Sequence, residues 1–469
     1  MNKAVKIVGL IMCILVGTLK GFIQAAPLNL NINVVKNNVL SNSATPEKYD
    51  LEIDGIFYQI TSIDNLKLKV VGGENVYSGD IVIPDEVDYR GKKFQITSID
   101  YQCFYNSAVT TVKLGDNISS IGSYAFYGST IREIVIPASV KTLYEHSFDN
   151  CQSLTKLTIS DGTDVLDFYS SSGNVPVYFV NCPIEYLYIG RNIDHWPWNP
   201  AFEDLSNATE IKIGSTVTEF DNYLLSGASK ITSLIIPQSV KTLRNGAFNN
   251  CSSLKSVIFE DGEETVIYTS GRGSTETGGG TGGSVNYAMF CDSPIEYLYI
   301  GRNFQVASNY SSSGAMFDYT PVKKLEIGSM VTTLIALRNL RELSEIKLPK
   351  NVENVSSFSG CNNLRKIICD SSVPPSFKSE YSNFSNIVFV EATLYVPKGC
   401  VGTYQMAEVW KNFFEITEYD ENAALSPVIT AESVSITKIF DINSQLQTHL
   451  QKGLNIIIYS DGSVKKVIY

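Results

Sequence analysis

The sequence predicts a β-rich solenoid, a chain wound into about twelve short coils that each give one strand to a parallel sheet. Three observations carry that prediction. The stretch Ile136-Pro137-Ala138-Ser139-Val140-Lys141-Thr142-Leu143 returns as Ile236-Pro237-Gln238-Ser239-Val240-Lys241-Thr242-Leu243, and between residues 134–162 and 234–262 14 of 29 positions are identical without a gap. The decapeptide PIEYLYIGRN occurs twice, at 183–192 and 294–303. Phe recurs at Phe104, Phe126, Phe148, Phe179, Phe202, Phe248, Phe290, Phe317, Phe358 and Phe384, with Leu225 and Leu337 holding the register between them, and outside Phe202 and Phe384 each Phe is followed three residues later by a small residue.

Where nothing is inserted, the Phe spacing is 20–23 residues, inside the leucine-rich-repeat range and too short for helix-pair or propeller repeats. The 469 residues therefore count coils, because a solenoid grows in one direction and escapes the size limit of a single core. At 44% hydrophobic and 18% charged, the chain is globular in composition.

Residues 1–25 read as a secretory signal: Lys3 and Lys6, an apolar run over 7–19, then small residues near Ala25 and Ala26. The run is too short to span a bilayer, so no transmembrane span is expected in the mature chain. Removing the three lysines of the signal turns the net charge of −11 into −14. An acidic secreted chain argues against nucleic acid or anionic membrane as partner, since both select a basic face.

Residues 26–100 are expected to form an N-terminal β cap, with hairpin turns at Asp54-Gly55 and Gly72-Gly73. Residues 101–397 are the solenoid. Each coil has an inward pair of apolar residues two apart, from Val112/Leu114, Ile134/Ile136 and Leu157/Ile159 to Ile367/Cys369 and Leu394/Val396. Side chains two apart share one face of a strand, so stacked coils build a continuous apolar wall. Insertions at 160–178, 260–289 and 303–316 fall between the sheet strand and the next Phe and should emerge along one edge. Residues 398–422 close the array.

The unit I-P-x-x-V-x-x-[IL]-x-x-x-[AS]-F-x-x-C-x-x-L-x-x-[IVL]-x-[IL], seen most cleanly at 136–159 and 236–259, resembles the BspA-like, Treponema-type leucine-rich repeat. Residues 49–56, Leu394-Tyr395-Val396-Pro397-Lys398-Gly399 and Trp410-Lys411-Asn412-Phe413 also resemble the ends of such proteins in Bacteroidetes. The resemblance implies a leucine-rich-repeat solenoid at the cell surface, adhesion or binding of a host or bacterial partner, and no fixed active site. Residues 423–469 form a small β tail, with Asp461-Gly462 placed as a hairpin turn between apolar runs. Lys452-Gly453-Leu454-Asn455-Ile456-Ile457 resembles a C-terminal sorting domain of Bacteroidetes secreted proteins. It departs from that pattern at Asp441-Ile442-Asn443-Ser444, which lacks the expected glycine, and at Tyr469, with no final basic residue.

Eight cysteines remain after the signal, an even number that suggests disulfides. Their register argues for buried free thiols instead. Cys151, Cys182, Cys251 and Cys361 occupy the small position that Ser107, Ser129, Ser293 and Thr320 fill in other coils. Only Cys151 and Cys182 sit close enough in the repeat to allow one bridge.

No catalytic set can be assembled. The three histidines, His146, His195 and His449, fall in separate coils or domains, and His146 takes the surface slot that Gly246 fills elsewhere. No phosphate loop or metal-ligand spacing is present, so neither enzyme activity nor cofactor nor metal is expected. Asp161-Gly162 and Asp261-Gly262 read as turns. The candidate contact residues are aromatic. Tyr186, Tyr188, Tyr297 and Tyr299 are predicted to face outward from two sheet rows, while His195, Trp196 and Trp198 lie on the insertion edge near Tyr169 and Tyr310. Such residues anchor protein or glycan interfaces. The alternative is that tyrosine suits an exposed strand and the tryptophans pack a loop onto the coil beneath. The expected function is adhesion or macromolecular binding, with glycan-accessory and purely structural roles as alternatives.

Overall fold

The computed structural model describes residues 49–72, 77–170, 178–195, 201–202, 205–221, 223–244, 246–269, 289–290, 293–306, 316–335, 337–377 and 383–419, together with strands Ile436–Phe440, Leu446–Gln447, Leu454–Tyr459 and Val464–Ile468. The chain is a solenoid of about 12 turns. Its first strand column runs through Ser78–Val82, Ala108–Lys113, Glu133–Ile136, Lys156–Ile159, Tyr186–Ile189 and Glu210–Ile213, paired in parallel. Leu157 lies opposite Ile134 and Leu187, so one apolar residue stacks on the same residue of the next coil. The column begins at Ser78–Val82, before the predicted solenoid boundary at 101, with Ile81 opposite Val112.

The predicted inward pairs are buried except for Ile213 and Ile327, which are half-buried against the core. Both stand where the first-column sheet breaks, before Ser233–Ile236 and before Glu345–Leu348. Among the described residues this first column is thus three blocks of sheet, and each of its breaks comes one coil after a copy of PIEYLYIGRN.

Beyond the predicted column, a second and shorter one runs through Ser120–Ile121, Thr142–Tyr144, Leu166–Tyr169 and Ile193–Asp194, and it breaks one coil before the first column does, after Ile193–Asp194 and after Phe304–Val306. It buries Ile121, Leu143, Leu166 and Phe168. Each long insertion opens with such a strand: Leu166–Tyr169, Val266–Thr269 and Phe304–Val306. Residues 171–177, 270–288 and 307–315, parts of the three insertions, lie outside the described residues.

The repeating Phe forms a ring stack through the core. Phe126 stacks on Phe104 at 4.8 Å and on Phe148 at 4.8 Å, and Phe148 stacks on Phe179 at 5.3 Å with planes 6° apart. The small residue three positions on is a hydrogen-bond donor. Cys151 Sγ donates to the Phe126 carbonyl at 3.0 Å, Cys182 Sγ to Phe148 at 3.0 Å, Cys361 Sγ to Leu337 at 3.1 Å, and Ser293 Oγ to Phe248 at 3.3 Å. Cys, Ser or Thr can donate to a nearby carbonyl from this position, whereas Leu205, Ala228 and Leu340 fill the same buried position without a donor. All seven described cysteines are free thiols.

At the start, Leu51–Ile53 and Ile56–Ser62 form an antiparallel hairpin through Asp54-Gly55, both in left-handed backbone conformation. Gly72 does not make the second predicted hairpin. Instead the chain crosses there from one sheet to the other, and a Cβ on Gly72 would lie 2.3 Å from the Cys103 carbonyl oxygen. At the far end, Trp410 is buried, its indole N–H donates to the Pro375 carbonyl at 2.6 Å, and it packs with Phe377, Phe384 and Phe413. In the tail, Leu454–Tyr459 and Val464–Ile468 pair antiparallel across the predicted turn, and Ile436–Phe440 adds beside them.

Candidate aromatic binding site

Each corner turn around the buried Phe bends through left-handed backbone at up to two positions. Two residues after the Phe stand Asn106, Gly128, Asn150, Asn181, Asn250, Asn339 and Gly360, residue types that tolerate this conformation. Four aromatic residues break the rule: Tyr124 (φ 58°), His146 (φ 59°) and Tyr223 (φ 54°) two residues before the core residue, and Tyr319 (φ 63°) two after. A ring held there costs on the order of 1–2 kcal/mol relative to Gly or Asn.

Two of these four belong to one surface cluster on three successive coils. Tyr124 and His146 stack at 4.7 Å, Tyr101 meets Tyr124 edge-on at 6.0 Å, Tyr127 lies 5.6 Å from Tyr124, and Tyr105 stacks on Tyr127 at 5.2 Å. Tyr101 is 56% exposed, and the other four are half-buried. His146 is more than surface filler: its Nδ1 is 2.7 Å from Asp149 Oδ2, which fixes the imidazole plane under Tyr124. Asp149 is itself buried and accepts from the Val180 N–H at 3.0 Å. Desolvation and then the Glu145 carboxylate hold the Tyr124 phenol above its usual value, so its hydroxyl stays a donor. The cluster offers ring edges, hydroxyls and one imidazole on a rigid corner. Among the described residues no group of three or more His, Cys, Asp or Glu could hold a metal, and no helix is long and apolar enough to cross a membrane.

The sheet-face tyrosines have inter-coil partners. Tyr188 donates to Asp161 Oδ1 at 2.7 Å, and Tyr299 donates to Asp261 Oδ1 at 2.6 Å. Asp161 and Asp261, expected as turn residues after the sheet strand, therefore also serve as acceptors for the next coil. Gly214 and Gly328 make room for the pair in the coil after, since a Cβ there would lie 2.4 Å from the aspartate oxygen. Tyr297 is buried, contrary to the outward expectation. Its parallel neighbour is the small, buried Ser256 where Tyr186 has Lys156, so the ring settles over the row and donates to Glu326 at 2.9 Å. Tyr186 is half-buried, with the Lys212 ammonium 5.7 Å from its ring centre.

The arginine of the decapeptide ties the same coils. Arg191 donates to the Ala138 and Pro137 carbonyls at 2.7 and 2.9 Å, and Arg302 to Gln238, Val240 and Pro237 at 2.7, 2.7 and 2.8 Å. Both are fully buried, and burial pulls Arg302 down to about 10. The identical decapeptide thus encodes ties across coils beside each sheet break.

His195 is buried, a second correction. In the second column Leu166 pairs with Ile193 and Asp167 with Asp194, so His195 follows into the inward slot that Phe168 fills one coil earlier. Trp196, Trp198 and Tyr310 lie outside the described residues. The Tyr101/Tyr105/Tyr124/Tyr127/His146 cluster was missed by sequence reasoning. Its signal is aromatic side chains at Tyr124 and His146, in the register where Gly246 stands in a sister coil.

A family profile described as BspA type leucine rich repeat region matches residues 93–197, 176–270 and 312–404. Among solved structures, a leucine-rich repeat protein from Bacteroides ovatus is 20% identical, covering 79% of this chain and 100% of that one, with a TM-score of 0.35. A leucine rich cell surface protein from Faecalibacterium prausnitzii is 14% identical over 81% of this chain and 97% of its own, TM-score 0.23. The pneumococcal vaccine antigen PcpA is 15% identical over 79% and 98%, TM-score 0.24. No curated protein matches the chain.

Proposed function

Because this chain belongs to the BspA-type leucine-rich-repeat family, whose profile covers more than half of it, we propose that it is a secreted or cell-surface protein that binds an extracellular protein or glycan through the aromatic corner of its first coils. One observation carries the reading. Rings occupy left-handed positions at Tyr124 and His146 where Gly or Asn would relieve the strain, and they form a contiguous patch with Tyr101, Tyr105 and Tyr127. Strain kept at an exposed site is a mark of function more than of stability. Tyrosines on a rigid coil also present contact area at little entropic cost. The acidic net charge of −11 favours neither nucleic acid nor an anionic membrane as partner.

The test is binding of the whole protein to arrays of glycans and matrix proteins, repeated with Tyr101→Ala/Tyr105→Ala/Tyr127→Ala. These three lie outside the left-handed positions, so the fold should hold. Loss of about 2 kcal/mol, roughly 30-fold in Kd, is expected if the patch is the anchor. Unchanged affinity on a folded variant would transfer the role to Trp196 and Trp198, the second contact region we propose, examined by Trp196→Ala/Trp198→Ala. Absence of any ligand would leave a structural role for the chain.

A further inference from the structure

The first coil leaves the main sheet open. Among the described residues, Ser78–Val82 pairs only with Ala108–Lys113, so alternate N–H and C=O groups on its far side have no strand beside them. Val82 is 60% exposed on this edge. A groove of about 450 Å³ runs alongside, lined by Asp54, Ile56, Tyr58, Ile81, Val82 and Val87. A bare strand edge next to apolar side chains is a template for pairing, and secreted chains keep such edges covered. The groove joins the edge to the Leu51–Ile53 hairpin, which is also the outermost strand of the other sheet. The preceding chain therefore enters at this same end of the solenoid.

That preceding chain contains Leu28-Asn29-Leu30-Asn31-Ile32-Asn33-Val34, an unbroken alternation of apolar residue and asparagine. A period of two puts the apolar residues on one face of a strand and the asparagines on the other. Residues 35–48 connect it to Tyr49. At about 3.3–3.6 Å per residue they can span up to roughly 50 Å, more than a return across one end of a coil requires. Asn38, Ser41, Asn42, Ser43 and Pro46 in that connection are turn formers.

We propose that residues 28–34 add as a further strand to the open edge of Ser78–Val82, with their apolar face over the groove and their asparagine face toward solvent. The chain then caps its own solenoid, supplying the backbone partners that the first coil lacks and covering Val82.

Peptide-resolved hydrogen exchange on the purified full chain, its N-terminus fixed by intact mass, tests this. Amides of 28–34 should exchange at least a hundredfold more slowly than an unstructured chain. Asn31→Pro removes a strand N–H and Ile32→Asp charges the apolar face. Each should abolish that protection and speed exchange at 78–82 about tenfold, while the Phe126 corner stays protected. Exchange of 28–34 at the unstructured rate overturns the proposal. So does protection of 28–34 that both variants remove without any change at 78–82, because the segment would then dock elsewhere. Protection that falls on dilution identifies a second copy as the occupant, and a mature N-terminus beyond Val34 removes the strand altogether; either result refutes self-capping.

Discussion

Replacing Phe148 by alanine tests the ring stack that holds successive coils together. Phe148 has no exposed surface, and its ring is sandwiched at 4.8 Å on Phe126 and 5.3 Å on Phe179, with planes 4° and 6° apart. Truncating a buried Phe costs about 3–5 kcal/mol through lost transfer energy and the cavity left behind. Losing two parallel ring contacts, about 0.5–1.5 kcal/mol each, places this site at the top of that range. Phe148→Leu should cost less, about 1–2 kcal/mol, because Leu225 and Leu337 fill the same position in other coils and are fully buried there. Each coil contacts only its neighbours, so a single global unfolding free energy is not well defined for such an array. The assay is therefore local: opening free energies from native-state amide exchange at the corners of Phe126, Phe148 and Phe179, compared with the Phe358 corner as an internal reference. The reasoning fails if Phe148→Ala lowers the local opening energy by under about 1 kcal/mol, or if leucine there is worse than alanine.

Further expectations follow from the same geometry. Thiol titration in denaturant without reductant should count at least the seven described cysteines as free; in the native protein burial pushes the Cys251 and Cys361 thiols up to about 12 and 11 and keeps them inert. Cys151→Ser should be nearly neutral and Cys151→Ala should lower the local opening energy at that corner by about 1 kcal/mol in native-state amide exchange, because the corner uses the side chain as a donor to the Phe126 carbonyl. Gly190→Ala should destabilise by about 1–3 kcal/mol, since its Cβ would stand 2.4 Å from the Asp161 backbone nitrogen; a wild-type melting curve would show that the coils can part there. Burial raises the Asp149 carboxyl above its ordinary value, against the opposing pull of His146, so the folded state keeps that proton to higher pH than the unfolded chain. Its stability contribution is thus present below the usual carboxylate range and is lost as pH rises through the raised value. Asp149→Asn, the residue that Asn249 supplies at this register, should flatten that loss in urea midpoints taken from pH 3 to 7; a steeper loss would refute the assignment.

The coil, its inward faces and the free thiols were legible in the sequence because they repeat. A period of about 22 residues superimposes Phe on Phe and Leu157 on Ile134, and burial follows from stacking identical units without any knowledge of how they turn. The closing residues Trp410 and Phe413 were legible from resemblance to the ends of BspA-like proteins, and the tail hairpin from Asp461-Gly462 between two apolar runs. What depends on two coils meeting was not legible. Asp161 reads as a turn residue until Tyr188 of the next coil donates to it, and only the third coil explains why Gly214 has no side chain. Tyr186 and Tyr297 stand in identical decapeptides, yet one is half-buried and the other buried, because the residue beside each is contributed by a different coil, Lys156 or Ser256. His195 follows the alternation of a second strand column whose short strands leave a weak pattern in the chain. The aromatic corner required backbone dihedrals, since Tyr124 and His146 look unremarkable as letters and become informative only as rings in left-handed positions. Repetition along one chain fixes what each coil does for itself; contacts between coils, set by which side chains the stacking brings together, decide the rest.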